Sequence, residues 1–130
     1  MKSALDPRHL KRILVFKSLF AGSFTDQPDR PSRVDKINSK ITEIDEIIQK
    51  CAPEWPISQI NRVDLSVLRQ AVYELLVKTQ TPTKVIIDEA VEIAKRYGGK
   101  TSSSFVNGAL AAAISYSGRE EETNNEPPKP

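Results

Sequence analysis

The chain has little of the chemistry that most enzymes and secreted proteins need. Its 130 residues include one cysteine and one histidine, which excludes an internal disulfide, a cysteine-rich zinc site and most histidine-ligated metal sites. The longest uninterrupted apolar stretch, residues 109–114, is far shorter than the ~20 residues that span a bilayer. The start is charged and interrupted rather than apolar, so no signal peptide is predicted and a cytoplasmic location is expected.

Net charge is also small, at +2, but it is unevenly distributed. Residues 1–24 carry five basic side chains against one acid, whereas residues 118–130 carry four glutamates against two cations. A basic start and an acidic end are typical of an anion-binding face and a solvated tail. We therefore expect a folded domain over 1–117 and a disordered acidic, proline-rich tail over 118–130.

Apolar residues recur at helical spacing along most of the chain, and no segment alternates as a strand would. Asp6 and Pro7 predict the start of a first helix that runs to Ala21, with Gly22 as a left-handed stop. A proline-broken loop follows over 23–33. The apolar stripe from 34 to 51 then predicts one helix of about five turns, opened by a capping pair of Ser32 and Asp35.

The second half of the chain predicts further helices separated by clear breaks. Ser58 is expected to open a short helical turn, and Asp64 to cap a helix whose core face includes Leu68 and Leu75. A helix over 85–97 ends at two glycines, and Ser102, Ser103 or Ser104 is expected to cap a last helix. Gly108 inside that helix is expected to permit a close helix crossing. The fold class is therefore all-α, a compact bundle of about 5–7 helices.

No catalytic constellation emerges from the residues. Residues 99–101 read Gly-Lys-Thr like the end of a phosphate-binding loop, but the earlier glycine is replaced by Ala94 and the segment follows a helix, not a strand. Acidic side chains near the start of a helix interact favourably with the positive end of its dipole. Asp88, Glu89 and Glu92 are therefore interpreted as structural. Cys51 ends an apolar stripe and is expected to be a buried, inert thiol. We predict no enzymatic activity, no cofactor and no metal.

Two aromatic side chains keep alternative interpretations. His9 adjoins Arg8 and is either a plain surface residue or a phosphate contact. Trp55, between two prolines, is either a hydrophobic plug between helices or a platform on which a nucleobase stacks.

Three segments of the second half resemble motifs of the NusB family of transcription antitermination factors. Residues 68–75 read Leu-Arg-Gln-Ala-Val-Tyr-Glu-Leu, and residues 84–95 read Lys-Val-Ile-Ile-Asp-Glu-Ala-Val-Glu-Ile-Ala-Lys. Residues 105–110 read Phe-Val-Asn-Gly-Ala-Leu. These segments occur in the family's order and spacing over residues 55–114, and the first helix resembles the family more loosely.

The resemblance implies two small helical bundles packed together, without enzymatic activity. Members of the family bind the boxA sequence of nascent RNA, usually with the small-subunit ribosomal protein that doubles as the factor NusE. That complex helps RNA polymerase read through terminators, notably in ribosomal RNA operons. The same activity and partners are therefore expected of this chain.

Site residues follow from the resemblance by position. RNA contacts are expected from Arg8, Lys11 and Arg12 on the first helix, and from Lys84 and Lys100 in the loops on either side of a later helix. The ribosomal protein is expected to contact Phe20, Arg69, Tyr73 and Glu74. Helical spacing places Arg69 and Tyr73 on an outward side. The alternative is that Tyr73 is half-buried and Arg69 pairs with a neighbour.

The chain departs from the family pattern in two ways. Its basic cluster is sparser than in many members, and residues 23–33 replace a short helix that members usually have. An alternative function therefore stays open, in which a helical protein-interaction adaptor keeps the fold without sequence-specific RNA binding. The apolar stripe over residues 34–51 fits the core of a monomer and the interface of a dimer equally well.

Overall fold

A computed structural model describes residues 6–119, and within that range the chain forms six α-helices, one 3-10 turn and no strand. The elements in chain order are α1 Pro7–Gly22, α2 Ser32–Ser39, α3 Ile41–Cys51, the 3-10 turn Ile57–Gln59, α4 Arg62–Val77, α5 Thr83–Tyr97 and α6 Ser102–Tyr116. The prediction of an all-α fold is confirmed.

Helix α4 lies at the centre of the fold. It packs against α5 and α6, which also pack against each other, and α1, α2 and α3 lie against its other sides. From Ser66 to Leu75 only Arg69 has more than slight exposure, as expected for a helix surrounded by others. The buried apolar side chains of the two halves join into one continuous core.

Helix α1 begins as predicted but ends differently. The Asp6 carboxylate accepts a hydrogen bond from the Arg8 amide at 2.9 Å, and Pro7 occupies the first turn, the arrangement of a capped helix start. The prediction of a left-handed stop at Gly22 is wrong. Ser23 ends the helix in a right-handed conformation, and its hydroxyl donates to the Phe20 carbonyl at 2.6 Å.

The predicted single helix over 34–51 is divided at Lys40, whose φ of −115° and ψ of 17° end α2 before α3 starts. Its apolar stripe is continuous all the same, because Ile37 and Ile44 on the two sides of the break are fully buried. The predicted capping pair is also wrong. Pro31 precedes the helix without a side-chain cap, and Asp35 instead accepts from Arg30 at 2.8 Å.

The later helices differ from prediction at several residues. Helix α6 already begins at Ser102, after Thr101 and without a side-chain cap, and the 3-10 turn begins at Ile57 rather than at Ser58. Asn61 rather than Asp64 caps α4, its side chain accepting from the Asp64 amide at 2.9 Å. Gly108 has open space around it, so the prediction of a close crossing there is wrong. The close approach is at Gly98, where a Cβ would collide with the side chain of Ser102. The Ser102 hydroxyl in turn accepts from the Gly99 amide at 2.9 Å and fixes the α5–α6 turn.

The last described residue, Arg119, fastens the end of α6 to the loop between α4 and α5. Its guanidinium donates to the carbonyls of Leu75 at 3.1 Å and Thr81 at 2.6 Å. The predicted tail begins at 118, and its residues 120–130 lie outside the described part of the chain. Within residues 6–119, no helix is both long and apolar enough to cross a membrane.

Candidate nucleic-acid and partner interface

Helices α1 and α5 lie side by side and run in the same direction, so the candidate residues on them fall at one or the other end of this helix pair. His9 pairs with Glu89 near the start of α5, and seven residues later Phe16 packs against Tyr97 at its end, with ring centroids 5.3 Å apart. The starts of both helices therefore share one end of the fold. Lys84 is the second residue of α5, so its prediction as a loop residue is wrong, and Lys100 lies in the turn after the helix. The two therefore lie at opposite ends of α5, separated by roughly 22 Å for a helix of this length.

Three of the five predicted RNA-binding residues are exposed near the helix starts. The side chains of Arg8 and Lys84 are 85% and 80% exposed, and Lys11 is exposed on α1. A groove of about 570 Å³ runs between α1 and the start of α5, lined by residues that include Arg8, Pro82 and Val85. Arg8 thus lines this groove, whereas Lys84 lies in sequence between the lining residues Pro82 and Val85 without lining the groove itself.

Each of these two exposed cations has an acidic neighbour. Arg8 contacts Asp6 at 3.3 Å, and Lys84 contacts Asp88 one turn along the helix at 3.1 Å. The hydrogen bond from the Arg8 side chain lowers the pKa of Asp6. Exposed pairs of this kind contribute little to stability and exchange readily for other anions.

Arg12, the third predicted cation of α1, points into the fold. Its guanidinium forms two parallel hydrogen bonds with the Glu74 carboxylate, at 2.8 and 3.0 Å, and lies 3.7 Å from Glu89. Its side chain is 15% exposed and that of Glu74 is 5% exposed. Burial alone would lower the pKa of Arg12, but the hydrogen bonds and charge of Glu74 outweigh it and raise that pKa.

His9 is buried beside that pair, so its interpretation as a surface residue is wrong. Its Nδ1 lies 2.8 Å from the Glu89 carboxylate, and its Nε2 lies 3.0 Å from the Glu92 carboxylate. Gln70 on α4 donates to the Arg12 carbonyl at 3.0 Å. Polar contacts to α4 and α5 therefore dock the first half of α1, whereas Leu14 on the opposite side is 61% exposed.

The other end of α5 carries Lys100 and a pocket that the sequence did not reveal. Lys100 is exposed in the turn before α6. Next to it, a cavity of about 250 Å³ is lined by Trp55, Gln59, Ile60, Asn61, Asp64, Thr101 and Phe105. Trp55 is 50% exposed at this cavity, so it does not fill a gap between helices as a buried plug would.

Two of the four predicted partner-binding residues are inaccessible. Tyr73 is 4% exposed, beneath the guanidinium of Arg33 at 5.4 Å from the ring, so the expectation that it faces outward is wrong. Glu74 is equally buried and holds Arg12. Arg69 forms two hydrogen bonds to Asp45 on α3, at 2.8 and 2.9 Å, which agrees with the alternative that it pairs with a neighbouring helix.

Phe20, the fourth predicted partner-binding residue, belongs to an aromatic surface at the end of α1. Its ring packs edge-on against Phe24 with centroids 5.0 Å apart. Phe24 is 60% exposed, and the guanidinium of Arg62 stacks over it at 4.2 Å. Partly exposed aromatic side chains beside an arginine are the composition found at the centre of protein interfaces.

The remaining candidate chemistry is structural. Cys51 is partly exposed, so the prediction that it is buried is wrong, but partial desolvation raises the pKa of its thiol to about 11. The thiol therefore stays protonated at neutral pH, as expected for an inert cysteine. Glu89 and Glu92 contact His9, and the described residues contain no cluster of three side chains able to hold a metal ion.

Comparison with known proteins gives a consistent result. The model of the NusB family matches residues 32–115. The transcription antitermination protein NusB of Lachnoclostridium phytofermentans is 46% identical over 63% of this chain, which spans 62% of that relative's length. The corresponding protein of Pseudothermotoga lettingae is 38% identical, with 79% of this chain and 87% of the relative aligned. The solved structure of Thermotoga maritima NusB superposes with a TM-score of 0.76 at 32% identity, over 98% of this chain and 100% of that one.

Proposed function

This chain belongs to the NusB family, and from that premise we propose that it is a transcription antitermination factor. It binds boxA-type single-stranded RNA together with the ribosomal protein NusE, within the antitermination complex of RNA polymerase. The complex promotes read-through, notably in ribosomal RNA operons, and so acts in the cytoplasm. The protein contributes binding surfaces to this assembly and no catalytic step.

The observation that carries the RNA proposal is the shared location of exposed cations at the helix starts. Arg8 lines the groove beside the start of α5, where Lys84 extends into solvent, and Lys11 is exposed one turn along α1 from Arg8. Such cations are free to exchange their acidic neighbours for RNA phosphates, releasing counterions. Lys100 adds a fourth phosphate contact at the far end of α5.

Arg12 supports this surface from beneath. Because Glu74 holds its guanidinium within the fold, we assign Arg12 the positioning of α1 rather than direct contact with phosphate. Tyr73 and Glu74 act in the same indirect way on the partner side. The surface that meets NusE is then formed by Phe20 and Phe24. Arg69 lines a pocket together with Asp26 and Gln27 of the segment between α1 and α2.

The test is a titration of fluorescent boxA RNA and a scrambled RNA at several salt concentrations, with and without NusE. We expect preference for boxA that increases when NusE is added. The double variant R8A/K11A should weaken RNA binding and reduce the log–log salt slope by about 1.4, since each single-strand phosphate contact contributes roughly 0.7.

A matched control removes the same charge elsewhere. Lys36 and Lys40 are exposed on the α2–α3 segment, so K36A/K40A changes net charge equally. If both double variants lost the same RNA affinity, the loss would reflect only non-specific electrostatic attraction between RNA and the charge of the protein. That result would refute the assigned site. Equal affinity of the unmodified protein for boxA and scrambled RNA, unchanged by NusE, would refute the proposed function.

One observation favours the alternative adaptor without sequence-specific RNA binding. The groove that receives Arg8 is also lined by Asp6, Asp88 and Glu89, which reduces its positive potential. An adaptor would bind NusE through the Phe20 surface and gain little from RNA. NusE binding that is abolished by F24A, combined with unselective RNA binding, would support this alternative.

A further inference from the structure

Two exposed cations, Lys17 on α1 and Arg96 on α5, lie over the ring of Tyr97 near the ends of these helices. The Lys17 Nζ and the central guanidinium carbon of Arg96 are each 5.5 Å from the ring centroid, so no more than twice that distance separates the two charges. The ring is fixed in place, because it packs against the buried Phe16 with centroids 5.3 Å apart. Tyr97 therefore holds two like charges close together at the surface.

These two cations differ from those at the helix starts in what they contact. Arg8 and Lys84 each contact a carboxylate. Within residues 6–119, neither Lys17 nor Arg96 has an ion-pair partner, and each contacts an aromatic face instead. A cation–π contact is an attraction between a charge and a ring face, and it leaves N–H groups of the ammonium and guanidinium able to donate. An anion can therefore bind here without displacing a carboxylate.

The two segments that form this surface contain no acid. Neither residues 7–25 nor residues 93–119 include an aspartate or a glutamate. Glu92, which directly precedes the second segment, lies 3.0 Å from the His9 ring. Lys100 is exposed in the turn after α5 and adds a further positive charge. The positive potential at this end of the α1–α5 pair therefore favours a polyanion.

The outward side of α1 connects this pair with the cations at the helix starts. Lys11, Leu14 and Lys17 recur at every third residue, so they form one slanted row on the helix surface, and all three are exposed. Along the helix axis, about 9 Å separates Lys11 from Lys17. Leu14 between them is 61% exposed, and Leu10 on the preceding turn is 43% exposed. Cations therefore alternate with apolar side chains along this side of α1.

Two kinds of polyanion match the charge of this row, an acidic segment of a protein partner and single-stranded RNA. An acidic peptide matches it only if its sequence spaces acidic and apolar side chains accordingly. Every nucleotide of RNA, in contrast, carries both a phosphate and a base with an apolar face. A strand of RNA also gains from several spaced cations at once, because each phosphate contact releases counterions. The alternation on α1 therefore favours RNA.

We propose that Lys17 and Arg96, held over the Tyr97 ring, form a second phosphate-binding site for single-stranded RNA. The same strand runs along the outward side of α1 from Arg8 and Lys11, and the exposed leucines contact its bases. This rests on the proposed RNA-binding function and adds the course of the strand across the protein. Because phosphate contacts carry no sequence information, the second site adds affinity and orients the strand without selecting a base.

The experiment measures the binding of fluorescent boxA RNA to the full chain at several salt concentrations. K17A/R96A removes both cations from exposed positions, and circular dichroism checks that the fold is kept. We expect the log–log salt slope to fall by about 1.4 and the affinity to fall about 25-fold at 0.1 M salt, which is the counterion-release contribution of two single-strand contacts. K17R/R96K keeps both charges and should bind RNA nearly as well as the unmodified protein.

Two further double variants locate the effect. R8A/K11A removes the cations at the helix starts. If one strand contacts both sites, the losses in log affinity of R8A/K11A and K17A/R96A should add in the variant that combines them. K36A/K40A removes the same charge from exposed positions on the α2–α3 segment and should have a much smaller effect.

The outcomes separate the second site from the proposed function. If K17A/R96A binds RNA like the unmodified protein while R8A/K11A binds more weakly, the second site is overturned and the proposed function stays intact. The second site is also overturned if K36A/K40A loses as much affinity as K17A/R96A. Loss of NusE binding without loss of RNA affinity would assign the pair to an acidic segment of the protein partner and overturn it too. Equal affinity of the unmodified protein for boxA and scrambled RNA, unchanged by NusE, contradicts the proposed function itself.

Discussion

Arg12 on α1 and Glu74 on α4 form a two-pronged ion pair within the fold, and 62 residues separate them in sequence. Glu74 thereby joins the helix with the candidate RNA contacts to the central helix of the core. A charge that loses its partner inside a fold is costly, whereas a well-packed apolar pair can replace both partners at little cost.

We therefore expect E74Q to lower the free energy of unfolding by about 3 kcal/mol, and R12M/E74L by clearly less than the sum of the single changes. Urea denaturation followed by circular dichroism measures both. D45N is the matched control, since the Arg69–Asp45 pair has the same geometry but is 26% exposed on each side. D45N should lower the free energy of unfolding by only ~1 kcal/mol. A loss as large as that of E74Q would show that burial does not decide the strength of these pairs.

His9 gives a second test of how α1 is docked. H9A removes a buried ring and its contacts with the two carboxylates of α5, so we expect a loss of about 2–3 kcal/mol in unfolding free energy. The adjacent variant R8A removes an exposed side chain and should change stability by no more than ~0.5 kcal/mol. Similar stability of the two variants in thermal or urea unfolding would mean that His9 does not secure the helix.

Two glycines of the α5–α6 region should respond oppositely to alanine. At Gly98 a Cβ would collide with Ser102 and with the carbonyl of Ala94, so G98A should destabilise the fold by at least ~1 kcal/mol. At Gly108, within α6 and with open space around it, alanine should stabilise by about 0.5–1 kcal/mol. Melting temperatures that shift in the same direction for both variants would contradict this geometry.

Cys51 should react slowly with alkylating agents. A thiol pKa of about 11, against an ordinary 9.0, lowers the thiolate fraction at pH 8 by about a hundredfold. Iodoacetamide labelling of the folded protein should be slower than that of the urea-unfolded chain by that order. Because the folded pKa is the higher one, the group's contribution to stability is complete below pH 9 and lost as pH rises towards 11. Equal labelling rates would show an accessible thiolate.

The sequence predicted what depends on near neighbours. The Asp6 cap and the all-helical class follow from local spacing, and both are confirmed. The break at Lys40 was missed because the apolar stripe continues across it. Arg12 was also grouped with Arg8 and Lys11 as an expected RNA contact, because nothing in the local sequence reveals a buried carboxylate on another helix.

The candidate site was predicted only in part for the same reason. His9 contacts Glu89, which is 80 residues away in sequence. A single sequence contains no local pattern that predicts such a contact. Tyr73 was predicted to face outward because helical spacing gives α4 one apolar side. In the fold, neighbouring helices surround α4. The cavity at Asp64 is defined only by the packed arrangement of three segments.

The contacts of Arg119 have a consequence for synthesis on the ribosome. Its guanidinium bonds the carbonyls of Leu75 and Thr81, 44 and 38 residues earlier in the chain. The end of α4 and the loop that leads to Lys84 are therefore translated well before the side chain that fastens them. On a growing chain, this edge of the candidate RNA surface becomes fully hydrogen-bonded only after residue 119 has been translated.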